Sequence, residues 1–186
     1  IDREQVGSAM EGQDAVYHLA GIPHLEIGME HPIETVEQNI LGTVIILEAA
    51  RRARVRRFVY ASSIYVYSEE GSFYRCSKQA AELYIEEFQR MHDLEYTILR
   101  FGSVYGPRAD SYNSVRRYLK DALLNRKIVV AGKGGELREY IHVRDAALSS
   151  AHVLSEEFRN QRVILTGPSP MRVRDLIRMI REIVGP

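Results

Sequence analysis

Short, nearly all-apolar runs alternate along this chain with longer stretches whose apolar residues recur at helical spacing, and few folds accept that alternation. Residues 15–20 (AVYHLA), 58–61 (FVYA), 96–100 (YTILR) and 163–166 (VILT) have the length of strands. AVYHLA carries so little polarity that it predicts a strand buried on both faces. Between them, 33–54 places Ile40, Val44, Leu47 and Ala50 on one helical stripe, and 73–92 does the same with Ala80, Ala81, Tyr84, Ile85 and Phe88. Further helices are expected over 115–124, over 145–154 with Asp145 as cap, and from 173 onward. A short strand over 128–131 should end at the turn Gly132-Lys133-Gly134-Gly135, and 21–31 reads as a polar loop. Strand–helix–strand order predicts an α/β fold with a doubly wound parallel sheet, whose ligands sit at the carboxyl ends of its strands. Three segments fall at such ends: 19–23 after AVYHLA, Ser62-Ser63 after FVYA, and 102–106 after YTILR.

Composition narrows the chemistry. Lys+Arg and Asp+Glu both number 25, so no charge excess argues for nucleic acid or an anionic membrane surface. The single Cys76 cannot staple a fold and suits a reducing compartment. No apolar run approaches the roughly 18 residues of a membrane span, and residues 1–10 do not read as a signal peptide. The expectation is a soluble, cytoplasmic protein without nucleic-acid or membrane partners. Six His show no metal-ligand spacing, and no G-x-S-x-G supplies a hydrolase nucleophile. The arginines at 51–57 read as a solvated helix end rather than a nucleic-acid patch.

The sharpest local feature is Tyr74-Arg75-Cys76-Ser77-Lys78. Residues four apart share a helix face, so phenol and ammonium are neighbours. A nearby cation stabilises a phenolate and should lower the Tyr74 pKa, which suits removal of a proton from an alcohol while hydride leaves its carbon. With 11 Tyr and four Lys, chance alone gives about 0.2 such pairs, so the pair is weak by itself. Ser62 and Ser63, where the preceding strand stops, strengthen it, because a hydroxyl there can share a proton with Tyr74. A Ser-Ser pair after a strand is otherwise an ordinary turn or cap.

Six segments together resemble the extended short-chain dehydrogenase/reductases, specifically the NAD-dependent nucleotide-sugar epimerase/dehydratase group. Residues 14–21 (DAVYHLAG) are similar to its D-x-V-x-H-x-A strand end, and 39–43 (NILGT) to its N-x-x-G-T helix. Residues 57–63 (RFVYASS) resemble its serine strand, and Tyr74 to Lys78 its catalytic pair. Residues 99–108 (LRFGSVYGPR) and 138–145 (REYIHVRD) resemble its substrate-side segments. The resemblance implies a Rossmann-like doubly wound sheet with a small C-terminal substrate-binding lobe. On it, 1–108 is part of the dinucleotide-binding domain, and 109–186 is mainly lobe, with 128–154 returning to the sheet.

Residue by residue, it implies Tyr74 as general acid/base, Lys78 on the nicotinamide ribose, and Ser63 on the sugar oxygen, these three being catalytic. Leu19, Ala20 and Gly21 would present backbone to the cofactor ribose, with Ser62 nearer the cofactor. Arg138 would pair with the substrate diphosphate, a bidentate task suited to a guanidinium. Ser103, Tyr105 and Arg108 fall on the substrate side, where Tyr105 and Arg108 either face substrate or shape the loop. Asn39 and Asp145 read as structural braces, as do His18 and His142. The implied cofactor is NAD, with NADP open; the implied partner is a nucleotide-diphosphate sugar, in a homodimer built through the helices carrying Asn39 and Tyr74.

The implied activity is a UDP-glucose 4-epimerase-like reaction through a transient keto-sugar. The family's dehydratases carry Asp-Glu where Ile64 and Tyr65 stand, and its decarboxylases a Glu, which favours epimerase; a dehydratase, a reductase or a silent scaffold are the alternatives. The family's opening strand and glycine loop are not in the sequence, so about 60 residues, one βαβ unit plus its next elements, are expected to be missing. Ser63 and Tyr74 are also only 11 positions apart, closer than the family usually places them.

Overall fold

The computed structural model describes residues 1–130 and 132–185. They form two compact units, residues 1–100 with 150–164 and residues 101–149 with 165–186.

The first unit opens with helix α1 (Arg3–Met10), capped by Asp2, whose carboxylate accepts from the Glu4 and Gln5 amides. Strand β1 (Ala15–His18) follows, then a short helix α2 (Leu25–Glu30) within the segment expected to be loop. A long helix next runs through three geometries: α3 (Pro32–Thr35), a π-helical turn (Val36–Leu41) and α4 (Gly42–Arg52). Pro32 stands at its first turn, where a missing N–H costs nothing. Strand β2 (Arg57–Ser63) leads through a 3-10 turn (Ile64–Tyr67) into helix α5 (Ser72–His92), and strand β3 (Glu95–Phe101) follows.

The second unit contributes β4 (Ser103–Tyr105), α6 (Ser114–Lys120) with a π-helical end (Asp121–Asn125), β5 (Leu137–Arg138), β6 (Tyr140–His142) and most of α7 (Val143–His152). The chain returns to the first unit for a 3-10 turn (Glu156–Phe158) and β7 (Gln161–Leu165), then ends in the second with β8 (Met171–Arg172) and α8 (Val173–Val184).

The main sheet has the order β1-β2-β3-β7, with β1 parallel to β2 in the register Ala15↔Arg57 to His18↔Tyr60. It is the expected Rossmann-like α/β arrangement, a parallel sheet flanked by helices. Phe58, Val59 and Tyr60 of β2 and Ile98 and Leu99 of β3 are essentially inaccessible, and Leu47 and Ala50 of α4 and Ala81 and Ile85 of α5 close over Phe58, Tyr60 and Ile98. The helical stripes read from the sequence are therefore the buried or half-buried faces, except at Tyr84, which is exposed. In the second unit β4 pairs parallel with β6, β5 pairs antiparallel with β8, and a smaller core forms around Tyr118, Val173, Ile177 and Ile180.

Four local expectations are corrected. Strand β1 is at the end of the strand order and only half buried, with Tyr17 37% exposed, so its apolar character does not reflect cover on both faces. The segment 21–31 contains α2 rather than loop alone. Residues 128–130 form no strand, and Ala131, the end of that predicted strand, lies outside the described residues. Helix α7 starts at Val143, which puts the exposed Asp145 in its first turn rather than at its cap; the Arg144 amide is satisfied by the His142 ring at 3.3 Å.

Candidate active site

Strand β2 ends on Ser63 and α5 begins nine residues later, so the intervening turn decides whether Ser63 and Tyr74 can meet. Ser63 has extended backbone and caps the 3-10 turn, accepting from the Tyr65 amide at 3.3 Å. The return into α5 needs a positive φ at Gly71 (+143°), where a Cβ would lie 3.0–3.1 Å from Arg75 and Tyr65. Two side chains of α5 then hold the turn: Arg75 donates to the Ser68 carbonyl at 2.7 Å and Gln79 to the Val66 carbonyl at 2.9 Å. The closed turn brings the Ser63 hydroxyl close enough to the Tyr74 side chain to act on its pKa. The short spacing seen in the sequence is thus bridged without separating the pair.

Lys78, one helical turn after Tyr74, is buried. Its ammonium donates to the Ala61 carbonyl at 2.8 Å and lies 4.8 Å from the centre of the Tyr60 ring and 5.8 Å from that of Tyr74. Burial pushes its pKa down to about 8, opposed by the nearby Glu82 carboxylate. Tyr74 shifts the other way from the sequence expectation. Burial pushes its phenol above the usual tyrosine value; the nearby Ser63 hydroxyl draws it back and the neighbouring Tyr65 pushes it further up. The Lys78 cation, turned toward Ala61 and Tyr60, does not overcome that burial.

Leu19, Ala20 and Gly21 follow β1 as an exposed loop. Asn39, at the π-helical turn, fastens that loop to α5. Its Oδ1 accepts from the Ile22 amide at 2.7 Å, and its Nδ2 donates to the Ile22 carbonyl at 3.1 Å and to Ser77 Oγ at 2.9 Å. Ser77 in turn donates to the Tyr74 carbonyl at 2.8 Å. Gly21, at φ +144°, lies so close that a Cβ would stand 2.7 Å from Asn39 Oδ1 and 4.0 Å from Lys78 Nζ. A bare backbone beside an ammonium with protons to spare fits the ribose of a dinucleotide, which needs both close approach and a donor.

Below this loop, the Thr43 hydroxyl donates its one proton to the Asn39 carbonyl at 2.7 Å, so the His18 Nε2 contact at 2.9 Å must carry the proton on the histidine. Burial, with Lys78 nearby, lowers the His18 pKa to about 4 and keeps the ring neutral. This agrees with a bracing role.

Ser62 points elsewhere than Ser63. Its hydroxyl donates to the buried Glu82 carboxylate, which also takes two bonds from Arg100, at 3.1 and 2.5 Å. Strand alternation separates the two serines, so the hydroxyl expected nearer a cofactor is engaged by helix α5.

In the second unit Ser103 and Tyr105 lie half-buried on β4, beside β6; the Ser103 amide donates to Glu139 O, and the Tyr105 ring meets those of Tyr140 and His142 edge-on. Arg108 is exposed at φ +67°. Arg138 is half-buried on β5, opposite Met171. Gly102 and Gly106 explain themselves here: a Cβ would come within 2.3 Å of Glu139 O at the first and 2.7 Å of Val143 at the second.

Comparison with known proteins decides the family. Residues 1–165 match the NAD dependent epimerase/dehydratase family. The chain belongs to that family. Among curated relatives, it is similar to a putative UDP-glucose 4-epimerase of Methanocaldococcus jannaschii, 28% identical over 92% of this chain and 61% of the relative. It is equally similar to a dTDP-glucose 4,6-dehydratase of Streptomyces antibioticus, 28% identical over 99% of this chain and 59% of the relative. The chain thus spans about three fifths of the length of these relatives. Among solved structures, the UDP-glucose 4-epimerase of Thermus thermophilus in complex with NAD superposes with a TM-score of 0.86 at 27% identity, covering 99% of this chain and 67% of that one.

Within this epimerase/dehydratase chain, sequence reasoning missed Glu82 and the contact role of Tyr65. Glu82 was detectable, since it lies one helical turn beyond Lys78 on the same face, as Lys78 does beyond Tyr74. Tyr65, whose ring meets Tyr74 edge-on at 6.3 Å, left no local signal. Its placement depends on the turn that Gly71 closes.

Proposed function

We propose that this protein is an NAD-dependent epimerase of a nucleotide-diphosphate sugar, of the UDP-glucose 4-epimerase type, working through a transient keto-sugar. The observation that carries the reading is the convergence of Ser63 at the end of β2, the Tyr74 phenol and the Lys78 ammonium 5.8 Å from the Tyr74 ring. Ser63 would hold the reacting sugar oxygen and Tyr74 would move its proton, taking it as the alcohol is oxidised and returning it as the ketone is reduced. Lys78, with Leu19, Ala20 and Gly21, would bind the nicotinamide ribose; Ser62 would set the end of β2 from behind. Arg138 would pair with the substrate diphosphate, and Ser103, Tyr105 and Arg108 would contact the sugar nucleotide. NAD when bound supplies a reversible hydride acceptor.

A tyrosine ring beside Tyr74 supports epimerisation over dehydration. Tyr65 stands where the family's dehydratases carry an acid, and eliminating water needs such a carboxylate. The dehydratase reading keeps support from relatives of that activity at the same 28% identity. The two differ in product. The protein expressed from its complete reading frame, incubated with UDP-glucose, UDP-galactose or dTDP-glucose, should interconvert C4 epimers on chromatography. A 4-keto-6-deoxy sugar instead would favour the dehydratase, and no conversion with no NAD binding would favour a silent scaffold.

We also place the protein in the cytoplasm as a homodimer. Among the described residues no helix is long and apolar enough to cross a membrane. Val36 and Leu41 in the π-helical turn, and Leu83, Tyr84 and Met91 on α5, leave much of their apolar surface exposed, which supports pairing through these helices. Sedimentation velocity at micromolar concentration should give the dimer mass; a monomer throughout would reject it.

A further inference from the structure

Helix α5 carries three functional side chains at four-residue spacing, Tyr74, Lys78 and Glu82, and the third joins more of the surrounding fold than either of the others. The Glu82 side chain is 6% exposed and that of its partner Arg100 is 12% exposed. One carboxylate oxygen accepts from Ser62 Oγ and from Arg100 Nε at 3.1 Å; the other accepts from Arg100 Nη2 at 2.5 Å. The same guanidinium donates to the Tyr67 hydroxyl and covers the Tyr67 ring at 4.6 Å. So one carboxylate ties together the last turn of β2, the 3-10 turn after it, strand β3 and helix α5. Ser63 lies between the two points that this network fixes, Ser62 behind it and Tyr67 ahead.

A buried ion pair of this kind is rarely retained for stability, because desolvation offsets most of the attraction. Its position gives it two other effects. Fixing Ser62 and Tyr67 restrains the backbone that aims the Ser63 hydroxyl at Tyr74. The carboxylate is also the acidic group on the same helix nearest in sequence to the Lys78 ammonium, and it opposes the burial that would strip the Lys78 proton. The other titratable groups facing Lys78 are His18 from β1, Tyr60 from β2 and Tyr74 from α5. None of these three supplies a negative charge at neutral pH, since a histidine ring ionises only to a cation and burial raises both phenols further above their ordinary value.

We propose that Glu82 is a positioning residue for the reaction: through Ser62 and Arg100 it aims Ser63, and it keeps a carboxylate one helical turn from Lys78. The proposal rests on reading Ser63, Tyr74 and Lys78 as the acid–base set. It predicts that two separable properties change when Glu82 changes. Orientation depends on the hydrogen bonds, and the charge state of Lys78 depends on the carboxylate.

The test compares Glu82→Gln, Glu82→Asp and Ser62→Ala in the protein expressed from its complete reading frame, with kcat, KM and NAD affinity measured from pH 6 to 10 (a range of about four units around the working value). Glu82→Gln should lower kcat by about tenfold or more with KM little changed, and should move the alkaline limb, set by loss of the Lys78 proton, down by about one pH unit. Ser62→Ala keeps the charge, so it should lower kcat without moving that limb. Glu82→Asp should leave the limb in place while losing part of kcat. A merely structural Glu82 would alter expression or melting temperature and leave the limb unmoved in every soluble variant. That outcome, or Glu82→Gln within about twofold of the parent across the profile, overturns the proposal. If Glu82→Gln does not fold, Ser62→Ala and Glu82→Asp decide: parental kcat in both overturns it. Tyr74→Phe run alongside separates the failures, because retained turnover there removes the acid–base reading whatever Glu82 does.

Discussion

Two opposing effects meet at Tyr74. Burial raises the phenol pKa, while the nearby Ser63 hydroxyl lowers it, and burial is the larger. Tyr74 therefore stands protonated at neutral pH, ready as an acid and in need of help as a base. His18 shows the same physics with opposite sign for a cation-forming group. Its folded pKa of about 4 lies below the ordinary 6.5, so as pH falls the unfolded chain takes the proton first. Stability should then fall as pH drops from 6.5 through 4, by up to about 3 kcal/mol from this ring. Urea unfolding at pH 7 and pH 5 checks it: the loss should shrink in His18→Gln, and equal losses in both proteins would contradict it. The histidine was legible in the sequence as a strand residue, but not its charge state. That depends on burial and on Lys78, 60 positions away.

At the scale of elements, the π-helical turn at Val36–Leu41 does what a regular helix would not signal in advance. It brings Asn39 to the loop after β1, where three hydrogen bonds join Ile22 and Ser77. Asn39→Ala leaves the Ile22 amide without its side-chain acceptor and should cost about 1–3 kcal/mol. Exchange of the Ile22 amide hydrogen should quicken with it, and unchanged exchange would reject the coupling. Strands β2 and β3 and helices α4 and α5 were readable because their apolar periods match their buried faces. The pairs β4–β6 and β5–β8 were not, since two- and three-residue strands carry no period. The stretch 128–130 misled because β-branched residues need a partner strand, and the described structure gives them none. The candidate site was legible in part: Tyr74 and Lys78 stood out by spacing, and Ser63 by its place at a strand end, with the family resemblance joining the three. Their mutual geometry rests on Gly71 and on the latches at Arg75 and Gln79, which bind backbone carbonyls and leave no motif.

For the molecule as a whole, membership in the epimerase/dehydratase family rests on a match over residues 1–165 and on a fold shared with enzymes of both activities. Family membership does not select a reaction, and the proposal of an epimerase rests on the residues around Tyr74. The account therefore stands on proton transfer by Tyr74 within hydrogen-bonding reach of Ser63. The most direct measurement is the turnover of Tyr74→Phe with UDP-glucose, in the protein expressed from its complete reading frame with NAD bound. The account predicts a fall of about 10²–10⁴-fold with NAD still held. Turnover near that of the parent protein would contradict it.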